Sequence, residues 1–118
     1  MVSYDIIRIA DYLSVMVKGR LDVQGFIEIT DKVYEACVAD GIRKLVIDVT
    51  GTAGTFSDSD KIEFAKYAAE KLKGIIDRYA YVYPHELLNY SSQLVAQGRG
   101  LNVRAYYSLE EALKWMEQ

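Results

Sequence analysis

Leu45-Val46-Ile47-Asp48-Val49-Thr50-Gly51, followed closely by Thr55-Phe56-Ser57-Asp58-Ser59, decides how this chain reads. An unbroken apolar run closing on Asp, Thr and Gly is the pattern of a central strand, buried on both faces, that ends at a polar rim. In open α/β sheets ligands and partners meet the protein at that rim, beyond the carboxyl ends of the strands. Asp48, Thr50 and Thr55 are therefore the first candidate contact residues.

Upstream of this strand, residues 4–10 and 12–18 alternate. Asp5, Ile7 and Ile9 point one way and Tyr4, Ile6 and Arg8 the other, while Leu13, Val15 and Val17 oppose Tyr12, Ser14, Met16 and Lys18. Two such runs with almost nothing between them predict an antiparallel hairpin turning near Ala10-Asp11. Asp22 is placed to cap a helix running to about Asp40, with Phe26, Ile29, Val33 and Cys37 on its buried stripe and Gly41 at the C-cap position.

Downstream, Asp58 to Lys73 reads as a second helix with Ile62, Ala65, Ala69 and Leu72 on one face and Gly74 after it. Tyr79 to Tyr83 is a short strand stopped by Pro84. Residues 86–98 read as a third helix ending at Gly98 or Gly100, with Leu87, Tyr90, Leu94 and Val95 available for burial. Asn102 to Tyr107 is the last strand. Ser108 and Glu111 form an S-x-x-E capping box opening a final helix, with Leu109, Ala112, Leu113 and Met116 as its stripe. The order β-β-α-β-α-β-α-β-α predicts a single α/β domain with a mixed, mostly parallel five-stranded sheet flanked by helices.

Composition narrows the function. The 118 residues are 51% hydrophobic and 26% charged, an ordinary globular balance, with a formal net charge of -3. That charge gives no broad attraction to phosphate backbones or anionic membranes, so nucleic acid is not an expected partner. The single cysteine, Cys37, rules out an internal disulfide and reads as a small core residue rather than a nucleophile or zinc ligand. Asp5, Arg8 and Asp11 interrupt the N-terminal segment, which reads as no signal peptide. No window approaches the roughly 18 apolar residues of a transmembrane segment. The expectation is a cytoplasmic protein.

The order of elements, the "LVIDVTG" strand and the following "TFSDSDKI" resemble the STAS domain, the family of SpoIIAA-type anti-sigma-factor antagonists. In that family a strand ending in Asp leads through a short loop to Asp-Ser-x-Gly at a helix start, and a partner kinase phosphorylates the Ser. Asp48 matches the strand-end Asp and Asp58-Ser59 the Asp-Ser pair. Asp60-Lys61 departs from the small pair expected there, and Gly51-Thr52-Ala53-Gly54 lengthens the loop. The C-terminal "GRGLNVRAYYSLEEALKWMEQ" is similar to the closing strand and helix of a SpoIIAA-like branch, with Asn102, Val103, Arg104, Glu111, Ala112 and Trp115 matching. The resemblance implies an apolar or lipid-like ligand or a protein partner, and no established catalysis.

The residues themselves leave several readings open. A phosphate on Ser59 would meet the free N–H groups and positive end of a helix, although Asp58 and Asp60 beside it would repel that charge. In the plainer reading Ser57 or Asp58 caps the helix. Asp48 either pins the loop that follows it or contacts a ligand; a lone carboxylate makes no metal site. His85, the only histidine, follows Pro84 at another strand end, which places it on the same rim. The Gly-Thr-Ala-Gly and Gly-Arg-Gly stretches lack the spacing of nucleotide-binding loops and read as turns.

Ten tyrosines are many for this length. Tyr79, Tyr81 and Tyr83 share one strand face and either fill the space between sheet and helices, wall a pocket, or join a homodimer interface. Trp115, at the edge of its helix stripe, is placed to seal that helix onto the sheet.

The leading reading is a non-enzymatic regulatory or binding module without cofactor. It engages a small apolar ligand or protein partner through Asp48, Thr50, Thr55, Tyr81, Tyr83 and His85, with Ser59 as a phosphosite. The alternative is a small hydrolase using Ser59 or Ser57 with His85, although no G-x-S-x-G elbow is present.

Overall fold

The structure, a computed structural model, describes residues 2–52, 57–83 and 91–118. Its elements follow the predicted order: β1 (Val2–Ile9), β2 (Tyr12–Gly19), α1 (Val23–Asp40), β3 (Lys44–Thr52), α2 (Asp58–Leu72), β4 (Arg78–Val82), α3 (Ser91–Gly98), β5 (Val103–Tyr106) and α4 (Leu109–Met116). The five strands form one sheet in the order β1-β2-β3-β4-β5. β1 pairs antiparallel with β2, and every later pair is parallel, so β2 to β5 all end at the same rim.

Local chemistry fixes the helix ends. The Asp22 carboxylate accepts from Gly25 N at 2.7 Å, Ser57 Oγ from Asp60 N at 3.0 Å and Ser108 Oγ from Glu111 N at 3.2 Å. Each satisfies a donor that the first helical turn leaves free. Gly41 closes α1 at φ 68°, its N–H donating to the Cys37 carbonyl; a side chain there would be strained. At the hairpin turn Ala10 takes a positive φ of 52°.

α1, α2 and α3 lie on one face of the sheet. Leu13, Val15 and Val17 of β2, Leu45, Ile47 and Val49 of β3 and Tyr79, Tyr81 and Tyr83 meet Phe26, Ile29, Val33, Phe64 and Leu72 in the main core. α4 covers the other face with Ala112, Trp115 and Met116 over Val46, Ala80 and Val82. Trp115 seals this helix as expected: it packs against Tyr106 at 6.1 Å, and the Arg104 and Arg78 guanidinium groups lie 5.0 and 5.9 Å from its ring.

Two helix faces differ from the pattern-based expectation. On α2 the buried side chains are Lys61, Phe64, Ala65, Ala68, Ala69 and Leu72, and Ile62 is only half-buried. The rotation follows the stacking of Phe64 on Phe26, 4.5 Å between centroids. On α3 Ala96 faces the core while Leu94 is exposed. Leu87 and Tyr90 lie outside the described residues.

Candidate functional site

The rim is built first by Asp48. This side chain is buried, and its Oδ1 accepts from Thr50 N at 2.9 Å and from Thr50 Oγ1 at 2.6 Å. A short carboxylate bonding its own backbone two residues ahead is the standard way Asp shapes a turn. Thr52 Oγ1 then donates to the Val49 carbonyl at 2.7 Å. The end of β3 is thus tied to itself, which is the loop-pinning reading of Asp48.

After β3 the chain reaches α2, whose N-terminus stands on the same rim. Of the two cap candidates, Ser57 is the one that caps. Asp58 and Asp60 occupy the first turn, where negative charge meets the positive end of the helix dipole. Ser59 sits between them, exposed.

The tyrosines take the packing role. Tyr81 opposes Ile47 in the β3–β4 register, and Asp48 opposes Val82, so Asp48 and Tyr81 project from opposite faces of the sheet. Asp48 and Thr50 come together; Tyr81 and Tyr83 are buried in the main core instead. Their rings form a stack, Tyr79 to Tyr81 at 4.5 Å and Tyr81 to Tyr83 at 5.5 Å, with Phe26 6.4 Å from Tyr81. Burial pushes the Tyr79 and Tyr81 phenols well above the ordinary tyrosine range. Thr55 and His85 lie outside the described residues, so the proposed pairing of a serine with His85 does too.

A cleft of about 150 Å³ opens between α1 and α2. Val23, Phe26, Ile27 and Phe64 give it an apolar floor, and Glu63, Lys66 and Glu70 stand around it. The rim-centred sequence reading missed this feature. Its signal was Phe64, the one phenylalanine of α2, which the expected stripe left out. Cys37 is buried, and desolvation followed by the charge of Asp40 pushes its thiol up to about 11. Among the described residues no group of three His, Cys, Asp or Glu side chains could hold a metal ion, and no helix is long and apolar enough to cross a membrane.

Solved structures share this fold. An anti-sigma factor antagonist from Mycobacterium paratuberculosis superposes with a TM-score of 0.67 at 17% identity, covering 100% of this chain and 96% of that one. An uncharacterised protein from Shewanella loihica, described as having a SpoIIAA-like fold, gives 0.62 at 22% identity over 97% of this chain and 92% of the other. The anti-sigma factor antagonist SpoIIAA in its unphosphorylated form gives 0.62 at 15% identity, over 98% of each chain. The fold is SpoIIAA-like. Neither a family model nor a curated protein matches the sequence. Across the SpoIIAA-like fold, then, the likeness is carried by topology, and what this chain does rests on its own residues.

Proposed function

We propose that the chain is a non-enzymatic regulatory module that binds a protein partner at the rim formed by Asp48, Thr50 and the start of α2, with Ser59 as the position where phosphorylation switches the contact. The observation that carries the reading is the division of labour at that helix start. Ser57 serves the fold as cap, and its neighbour Ser59 is exposed on the rim side of the sheet. A phosphate there adds charge close to free backbone N–H groups and changes partner affinity electrostatically. The neighbouring structures named as anti-sigma factor antagonists, one of them specified as unphosphorylated, support a protein partner and a phosphorylated state.

The test is the intact mass and fragment spectrum of the protein recovered from its own cells, together with partner capture by the wild type, Ser59→Ala and Ser59→Asp. Phosphate on Ser59 and a partner set that changes with Ser59→Asp are expected. An unmodified Ser59, with the same partners held by all three forms, would sink the switch.

The cleft between α1 and α2 favours a second reading, a small apolar ligand held over Phe26 and Phe64. Native mass spectrometry under gentle conditions would show it as extra mass lost on denaturation. The hydrolase alternative starts from a weaker position, because Ser57 is already engaged as a cap.

A further inference from the structure

The two faces of the sheet are unequally covered. Among the described residues α4 alone packs on the second face, where it touches β3, β4 and β5. Tyr12 of β2 packs against the α4 cluster, but among the described residues nothing covers the rest of that face over β1 and β2, and Ile7, Ile9 and Met16 are 53%, 44% and 37% exposed. Ile6 and Ile7 are consecutive, so β1 carries apolar side chains on both faces, the pattern of a strand covered on both sides. Among the described residues only the Ile6 face is covered in a single copy. Register sets Asp5 opposite Met16, Ile7 opposite Ser14 and Ile9 opposite Tyr12. Ile7 and Ile9 on β1 and Met16, diagonal to Ile7 on β2, therefore make one strip two strands wide, about 10 Å across at the usual strand spacing, with Ser14 and the half-buried Tyr12 completing it.

The sheet edges are unequal as well. The outward backbone of β5 is satisfied by α3, with Ala105 N donating to Gln93 Oε1 at 2.7 Å and Gln97 Nε2 donating to the Val103 carbonyl at 2.8 Å. Among the described residues β1 has no such cover, and a bare edge strand invites another chain.

We propose that this strip is the interface of a homodimer, in which a second copy packs strip against strip about a twofold axis running roughly along the strands. Layer thickness is the first argument. Stacked sheets lie about 10 Å apart and a helix is about 10 Å across, so the partner's sheet fits the step beside α4, in the layer α4 already occupies. Continuity is the second: the same rotation brings the partner's α4 alongside the bare edge of β1, so one contact covers both strip and edge. Charge is the third. Asp5, directly opposite Met16, and Lys18, two residues beyond Met16 on β2, are exposed on the strip's own face, and neither has an ion-pair partner among the described residues. The rotation sets Asp5 near the partner's Lys18 and Lys18 near the partner's Asp5, the reciprocal contact that an isologous interface requires. The proposal is independent of the rim reading.

Sedimentation equilibrium on the 118-residue chain tests it directly. The wild type is expected at twice the 13.4 kDa chain mass. Ile7→Lys is expected to run as a monomer with an unchanged circular dichroism spectrum, because Ile7 is already exposed in one copy. Val38→Lys, at a 54% exposed position of α1, is expected to stay dimeric. Asp5→Lys should weaken association about tenfold or more, as misplaced interfacial charges do, and adding Lys18→Asp should restore it. A wild type that stays monomeric up to high micromolar concentration overturns the proposal, and so does a dimer that survives Ile7→Lys. A charge reversal that is not restored by the second substitution overturns the twofold arrangement.

Discussion

Tyr79 and Tyr81 stack with their ring centroids 4.5 Å apart, both buried, and neither hydroxyl meets a partner at hydrogen-bonding geometry among the described residues. They lie close enough to polarise one another without that geometry. A buried hydroxyl left in this way costs the fold about 1–3 kcal/mol, while the ring beneath it contributes packing. Tyr79→Phe keeps the ring and removes the hydroxyl. It is expected to leave stability unchanged or raise it by about 1 kcal/mol in urea denaturation, whereas Tyr79→Ala should cost about 3–5 kcal/mol. A Phe variant clearly less stable than the wild type would mean that the hydroxyl is satisfied in solution.

The same burial sets an alkaline limit. Desolvation raises the Tyr79 and Tyr81 phenols well above their ordinary value, so the folded chain keeps them neutral. The unfolded chain ionises them near pH ~10. Their contribution to stability is therefore intact below that pH and lost as pH rises above it. Ultraviolet titration is expected to show the exposed tyrosines ionising first and a second, cooperative wave coinciding with loss of circular dichroism. Ionisation of every tyrosine in a chain still folded would contradict the core placement.

Cys37 gives a milder case of the same sign. Its thiol is displaced upward to about 11, chiefly by burial, so little thiolate exists near neutrality. A thiol-selective reagent at pH 8 is expected to leave the native chain unreacted and to label Cys37 promptly in denaturant. Fast native labelling would show that α1 opens away from the sheet.

Much of this architecture is legible in the sequence because short-range chemistry writes it. The alternation of residues 4–18 gave both hairpin faces correctly, Asp22 and Gly41 bracket α1, and Ser108 with Glu111 opens α4. The run from Lys44 to Val49 announced a strand buried on both sides, and the structure extends it to Thr52. What periodicity could not supply was rotation. The face of α2 is set by Phe64 stacking on Phe26 across 38 positions of chain, and a helix stripe alone does not contain that contact. The candidate rim was half legible for a similar reason. Asp48 and Thr50 are neighbours in sequence and bond to each other. The strand of Tyr81 ends nearby, but the register turns its ring to the opposite face, which strand order alone does not show.

Asp48 supplies the most direct test of what the rim is for. If its role is to pin the turn, the relevant atom is Oδ1, which accepts both the amide and the hydroxyl of Thr50. Asp48→Ala removes that acceptor and leaves a Thr50 amide to find water, which is expected to cost about 1–3 kcal/mol in urea denaturation. Asp48→Asn keeps an acceptor oxygen and should cost less than half as much, and Thr50→Val should fall between the wild type and Asp48→Ala. In the double-substituted Asp48→Asn/Thr50→Val chain the effects should be less than additive, since both changes weaken the same contact. Hydrogen exchange at the Thr50 amide provides a second readout: protection is expected in the wild type and the Asn variant and lost in the Ala variant. Should Asp48→Asn prove as damaging as Asp48→Ala, the charge rather than the acceptor would be the essential property, and Asp48 would have to be serving a bound cation or a basic partner group in addition to the turn.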